Sequence, residues 1–382
     1  MNSKVFIIMK EDIINYPPAL SVIKSLLDLN CEIIHIGNYS DVEQKRELKE
    51  KGVTFIEMGH YNGKSNVISK YLQQYKFKKE VEKTLQEYNA GENDYIWLLN
   101  AETIVLLGNL CYKYKTIFHY FEFTMPYVNW KYRLVNPAFN PYKANSHAYK
   151  IIQCEYNRAH LFKAFLHLDV LPTVLPNKPY ESHNQNNIPV DVKDVIEEVK
   201  SKIRGRKVIL YQGVFQGKDR RLDEFIESIN CLSSEYVFVA MGSYSSSYQE
   251  LKDKYESDNV VFVPFIRPPY HLEVTKLAYI GILSYVANEN TIAGTINPVF
   301  CAPNKIFEYS KFRKPMISND LPGLTTTYKL FKCGESIDYP ITSEKVAKGV
   351  KQIDDNYDLY SKGAQEFYES INIRDIIQSI LS

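Results

Sequence analysis

The sequence predicts an α/β protein made of two consecutive parallel-sheet domains of similar size, each wound by helices on both faces. Three observations carry this. The chain has 382 residues, more than one ordinary core accommodates. Short apolar runs alternate with longer amphipathic stretches in two separate series; strand alternating with helix marks a sheet buried on both faces. Between the series, residues 176–206 are dominated by Pro, Asn and charge, as a domain connection is.

The first series contains VFIIM (5–9), EIIHI (32–36), VTFIE (53–57), YIWLL (95–99), TIFHYF (116–121) and IIQC (151–154). Each is short and almost wholly apolar, as a buried strand is. ALSVIKSLLDLN (19–30) and DVEQKRELKEKG (41–52) lie between them and have helical spacing, the second stopping at Gly52. After the break come KVILYQG (207–213), YVFVAMG (236–242), VVFVPF (260–265), YIGILSY (279–285) and KPMISN (314–319). Helix-compatible stretches such as RRLDEFIESINCL (220–232) separate them, and the chain ends in a helical segment. The resulting division is a first domain over 1–176, a linker over 177–206, a second domain over 207–362 and a terminal helix over 363–382. Ligands of such sheets bind at the carboxyl ends of the strands, so two of them present a cleft between facing loops.

Composition narrows the partners. Lys and Arg total 46 against 45 Asp and Glu, leaving no global field that would select nucleic acid. Residues 1–178 carry 22 basic and 18 acidic groups, and the remainder 24 and 27, so the first half is the more basic. Six scattered cysteines form no C-x-x-C pair, which suits reduced, buried thiols and no zinc site. The opening apolar run, Val5 to Met9, is too short for a signal peptide or a membrane span. A cytoplasmic protein is expected, free to sit peripherally on a membrane surface.

Two stretches of the second half bear chemistry. The strand ending in Gly213 leads through QGKD, with Lys218, into Arg220 and Arg221 at the head of a helix. Glycine lets the backbone turn sharply and approach a ligand, and cations at a helix start suit diphosphate. A solvated pair of arginines is the plain alternative. In CAPNKIFEYSKF (301–312), Pro303 opens a helix whose Ile306, Phe307 and Phe312 face the core. Glu308 is either solvated or a ligand group. Asn304 and Lys305 lie one turn earlier on the same side. A carboxylate accepts two hydroxyl hydrogen bonds at once, as a ribose diol requires, while Lys305 suits phosphate.

PNKIFEY, a short spacer, Lys314-Pro315, an apolar run and then DLPG (320–323) resemble the donor-binding signature of retaining GT-B glycosyltransferases of family 4. VILYQG with its basic helix head, VLPN (174–177) and CEYNRA (154–159) are similar to further segments of that family, in order, over most of residues 150–335. The resemblance implies the GT-B fold, two Rossmann-like domains facing across a cleft, with the final helix returning to the first domain. It implies a nucleotide-sugar donor, a UDP-sugar, whose sugar passes to a glycan acceptor in bacterial surface-polysaccharide synthesis. Glu308 then corresponds to the second acid of the family's E-x7-E motif, the ribose ligand. Arg220 takes the place of the phosphate-binding lysine, with Lys218 and Arg221 as helpers. Asn304, Lys305 and Gly213 border the diphosphate and sugar, and Pro264 and Phe265 the base. His119 resembles a strand-end histidine near the donor sugar, although a lone strand histidine is as readily structural. Glu122 is an acceptor-hydroxyl candidate. The mechanism implied is front-face attack assisted by the departing diphosphate, with no cofactor and no metal.

The sequence also departs from that pattern. Phe300 stands where the first acid belongs, Val214 follows the strand glycine where a basic residue is usual, and Arg313 replaces the glycine before Lys-Pro. NYPPALSV (15–22) stands in place of a Gly-rich loop. These departures keep open a non-catalytic GT-B relative that binds or chaperones a partner, and a GT-B nucleotide-sugar epimerase. Residues 111–150 hold six basic groups, one acid and twelve aromatics, and the preceding segment carries Lys70, Lys76, Lys78, Lys79 and Lys83 beside Tyr71, Tyr75 and Phe77. That mixture suits a lipid-linked acceptor at the inner membrane face, or an ordinary surface with snorkelling lysines. DDNYD (354–358) reads as solvent-facing.

Overall fold

In a computed structural model the chain is described at residues 4–59, 66–125, 130–180, 188–215, 221–287 and 291–382. It divides into two compact units, Met1–Tyr180 with Asn372–Ser382, and Glu181–Ile371.

The N-terminal unit is built on seven strands: β1 (Lys4–Asp12), β2 (Glu32–Asn38), β3 (Val53–Glu57), β4 (Tyr95–Leu99), β5 (Lys115–Tyr120), β6 (Lys150–Gln153) and β7 (Thr173–Val174). Their order is β3-β2-β1-β4-β5-β6-β7, with every described pairing parallel. β1 and β4 are central and almost wholly buried, which is why their sequences read as continuous apolar runs. The following helix, Pro17–Asp28, starts on proline, whose missing N–H costs nothing there. The last helix, Ile373–Leu381, buries Ile373, Ile377 and Ile380. Tyr95 Oη donates to the carbonyl of Leu381 at 2.5 Å, tying that helix to β4.

The second unit has six strands: β8 (Lys207–Gly213), β9 (Tyr236–Gly242), β10 (Val260–Pro264), β11 (Ala278–Leu283), β12 (Met316–Asn319) and β13 (Gly334–Ile337). Their order is β10-β9-β8-β11-β12-β13, again all parallel. Both sheets therefore reverse direction once, between β1 and β4 and between β8 and β11. A crevice opens at such switch points, outside the carboxyl ends of the strands.

Several local expectations change. The stretch 177–206 contains a helix, Val190–Ile203, whose Val192, Ile196, Val199 and Ile203 enter the core of the second unit at i, i+4, i+7 and i+11 spacing. The helix expected over 220–232 is one short turn, Asp223–Glu227, followed by a 3-10 turn, Ser228–Cys231. The terminal segment is divided: Tyr357–Glu369 belongs to the second unit and Ile373–Leu381 to the first. DDNYD is not simply solvent-facing. Asp354 accepts from Lys207 Nζ at 2.7 and 2.9 Å and from the hydroxyl of Tyr279, closing the amino-terminal edge of the second sheet.

Candidate functional site

The carboxyl end of β8 brings together residues that the sequence separates by almost a hundred positions. Gln212, 2% exposed, donates from Nε2 to Glu308 Oε2 at 2.6 Å. Thr275 Oγ1, fully buried, donates to Gln212 Oε1 at 2.7 Å and so fixes the orientation of the amide. His271 Nε2 lies 3.3 Å from Glu308 Oε1. Both carboxylate oxygens are thus held from the protein side, and each keeps a lone pair for a ligand.

Glu308 reaches this position because its helix, Asn304–Lys311, is fastened to the sheet by the next residue. Tyr309 is fully buried and its hydroxyl donates to the carbonyl of Leu210, in β8, at 2.9 Å. Its ring lies against Gly281 of β11, where a Cβ would come within 2.5 Å of the ring carbons. Phe307 stacks on Phe367 with centroids 5.2 Å apart. Ile306 and Phe307 face the core as the spacing predicts; the third core residue is Tyr309, while Phe312 caps the helix half-buried. One turn before Glu308, Lys305 extends over Gly213, with its Nζ 5.7 Å from the Tyr211 ring centroid and 5.8 Å from that of Tyr285.

The electrostatics favour an ionised Glu308. Burial pushes its pKa up, but His271, Lys305 and the Gln212 amide outweigh burial and hold it below the ordinary range. Tyr309, buried beside that charge, has its phenol pushed well above its ordinary value and stays a donor. His271 Nδ1 is buried with no hydrogen-bond partner among the described residues. The result is a fixed anion and a cation at the switch point of a parallel sheet, a set suited to a diol and a phosphate.

The remaining expected residues are distributed as follows. Gly213 ends β8 with φ of +141°, a backbone state that favours glycine. Asn304 opens the Glu308 helix, half-buried. Pro264 ends β10 and Phe265 follows it, 59% exposed. Arg221 is exposed and pairs with Glu224 one turn on, while its carbonyl accepts from Ser284 Oγ at 2.6 Å. Lys218 and Arg220 lie outside the described residues. Phe300 caps the helix Ile292–Val299 and is half-buried.

His119 and Glu122 belong to the N-terminal unit. Glu122 is exposed. His119, at the end of β5, is 1% exposed, with its ring centroid 4.7 Å from that of Phe121 and 6.2 Å from that of Trp97. Burial pushes its pKa down to about 3, so the ring is neutral. Gln212, His271 and Thr275 were missed from sequence. A polar side chain inside the otherwise apolar VILYQG was the available signal for Gln212; nothing local marks the other two.

Among the described residues, no group of three or more His, Cys, Asp or Glu could hold a metal ion, and no helix is long and apolar enough to cross a membrane. No family model and no curated protein matches the chain by sequence. Solved structures do match it along its whole length. The Anabaena protein Alr3699/HepE, crystallised with UDP, is 12% identical with a TM-score of 0.66, over 99% of this chain and 98% of that one. A glycosyltransferase from Rickettsia africae is 13% identical with a TM-score of 0.64, over 100% and 94%. WaaG, a glycosyltransferase involved in lipopolysaccharide biosynthesis, is 12% identical with a TM-score of 0.60, over 99% and 98%. With two parallel Rossmann-like sheets and these neighbours, the chain has the GT-B fold.

Proposed function

We propose that the protein is a glycosyltransferase that binds a nucleotide-sugar, a UDP-sugar, and passes the sugar to a glycan acceptor in surface-polysaccharide synthesis, by the retaining route of family 4. The observation that carries this reading is the Glu308 carboxylate, held ionised by Gln212, His271 and Lys305 at the carboxyl end of β8. In this reading Glu308 accepts both ribose hydroxyls. Lys305 and the backbone at Gly213 and Asn304 meet the diphosphate, joined by Lys218, Arg220 and Arg221. Pro264 and exposed Phe265 border the base. The UDP and UDP-glucose bound by the Anabaena neighbour support the choice of donor. Fixed donors and charges of this kind act by positioning and by stabilising the leaving diphosphate.

Thermal shifts with UDP, GDP and their sugars test the donor site, because a ligand at a hundred times its Kd stabilises by about 2.7 kcal/mol. UDP should raise the melting temperature of wild type and fail to raise that of Glu308→Ala. If no nucleotide shifts wild type, the donor reading falls. Phe300, in place of the first acid, favours a second reading as a binding protein without turnover. Transfer or hydrolysis of UDP-glucose separates the two.

A cytoplasmic protein in peripheral contact with the inner membrane fits the helix Val67–Glu87. Ile68, Leu72 and Tyr75 are exposed at i, i+4, i+7 spacing, beside Lys76 and Lys79. Co-sedimentation with anionic liposomes at low salt is the check; no binding removes this part alone.

A further inference from the structure

Glu308 is the open end of a polar chain that runs back into the core of the second unit. Its side chain is 13% exposed, whereas Gln212 behind it is 2% exposed and Thr275 behind that is fully buried. A ligand therefore reaches Glu308 and not Thr275. An ionised carboxylate only accepts, so Gln212 turns Nε2 to Glu308, at 2.6 Å, and Oε1 inward. Thr275 Oγ1 meets that inward oxygen at 2.7 Å and can only donate to it. The hydroxyl has a second acceptor, the carbonyl of His271 at 3.2 Å, in the usual back-bond of a helical threonine. The shorter contact is the one to Gln212. Were the amide reversed, its oxygen would face the Glu308 charge, so the carboxylate at one end and the hydroxyl at the other fix its direction.

The same short helix holds the other carboxylate oxygen. Thr275 lies in the helix Leu272–Leu277, and His271 caps its start. At i, i+4 spacing the two share a side. Val274, 1% exposed, anchors this helix in the core. His271 Nε2 stands 3.3 Å from Oε1, and Thr275, through Gln212, governs Oε2. One element thus grips both oxygens and fixes the rotation of the carboxylate about its own bond. Stability does not require this arrangement. Replacing both partners of a buried hydrogen bond by apolar groups of the same shape is nearly neutral or stabilising. The buried Gln212–Thr275 pair is accounted for by what it does to Glu308.

We propose that Thr275 and Gln212 are positioning residues for the nucleotide: Thr275 orients Gln212, and Gln212 turns the Glu308 carboxylate so that its open lone pairs converge on adjacent hydroxyls. The proposal rests on the donor-site reading, in which Glu308 meets the ribose. It adds that the preference for ribose over deoxyribose is set by a residue the nucleotide never touches. A carboxylate free to rotate still attracts one hydroxyl, but it must be ordered at a cost before it meets two.

Calorimetry of the full chain with UDP, 2′-deoxy-UDP and 3′-deoxy-UDP is the test. Wild type should bind UDP roughly tenfold or more tighter than either deoxy analogue, as loss of one hydrogen bond to a charged group implies. Thr275→Val keeps the shape and leaves Gln212 Oε1 without its donor. It should bring that ratio to within about threefold of unity, while affinity for 2′-deoxy-UDP changes little. Thr275→Ser returns the hydroxyl and should return the ratio, a rescue that a merely structural threonine would not give. Gln212→Met removes the amide at similar length and leaves Thr275 the His271 carbonyl, so it serves if Thr275→Val does not fold. It should lower the ratio equally, and Gln212→Met with Thr275→Val no further, because the two act in series. A wild-type ratio in folded Thr275→Val or Gln212→Met, a Thr275→Ser ratio as low as that of Thr275→Val, or additive losses in the double variant overturns the proposal. UDP binding that Glu308→Ala abolishes, with the ratio intact in Thr275→Val, sinks the positioning roles and spares the donor site. No UDP binding to wild type fells both.

Discussion

Lys305 occupies the space that a side chain on Gly213 would need: a Cβ there would lie 2.3 Å from Lys305 Nζ and 2.4 Å from its Cε. The lysine of one motif is seated by the glycine of another, 92 residues earlier. Gly213→Ala must therefore both displace Lys305 and hold alanine at a φ of +141°. The strain should cost roughly 1–3 kcal/mol in unfolding free energy. UDP affinity should also fall about tenfold, as loss of one charge-assisted phosphate contact implies. Lys305→Ala separates the two, weakening UDP with little change in stability. Calorimetry on both variants is the check; unchanged UDP affinity in Gly213→Ala means the contact is incidental.

Glu308 gives a pH signature without any ligand. Its pKa is held below the ordinary 4.5 in the fold. The stability this contributes is present above the unfolded value and is lost as pH falls through the folded one. Glu308→Gln lacks that term, so it should be less stable than wild type near neutrality, with the gap closing as pH falls below the ordinary carboxylate range. Melting temperatures across the acid range measure this. A gap of constant size would mean that the carboxylate is not held ionised.

How far the fold was legible depends on what each residue answers to. Strand and helix alternation was plain because β1, β4, β8 and β9 are buried on both faces and can only be apolar. Glu308 and Lys305 were legible because their helix is local, so i, i+3 spacing shows that they share a side. Gln212, His271 and Thr275 were not, since their meeting depends on how two helices dock on β8. Tyr309 went unremarked for the same reason: its place over Gly281 is a property of the packing. The sequence left His119 open between two roles because strand position fixes the height of a residue on the sheet but not what covers it.

Arg313 stands where the resemblance expects glycine, and the structure gives the reason for that preference. It lies two residues past the helix Asn304–Lys311 with φ of +59°, the left-handed state that commonly ends helices. Arg313 is exposed and adopts this state at a cost that glycine avoids. Arg313→Gly should raise stability by roughly 0.5–1 kcal/mol. Denaturant unfolding with an unchanged slope would register it; a loss of stability would show that the side chain makes a contact worth more than the strain.

His35 and His119 make the opposite kind of pH prediction. Both are essentially fully buried, with no hydrogen-bond partner for either ring nitrogen among the described residues. Burial pushes each from 6.5 down to about 3. The unfolded chain binds protons at these rings below its ordinary pKa and the folded chain does not, so stability falls as pH drops from 6.5 towards 3. At about pH 5 each histidine should cost about 2 kcal/mol relative to pH 7. His35→Phe and His119→Phe keep an aromatic ring in each place and remove the titration, so each should flatten the slope by that amount. Glu11 works against them in part of this window: its folded pKa is raised, so its contribution is greatest at low pH and is lost as pH rises towards 7. The slopes are therefore compared pairwise, each variant against wild type, where the Glu11 term cancels. If neither substitution changes the slope between about pH 5 and 7, the two rings are reached by water and are not sealed as the structure has them.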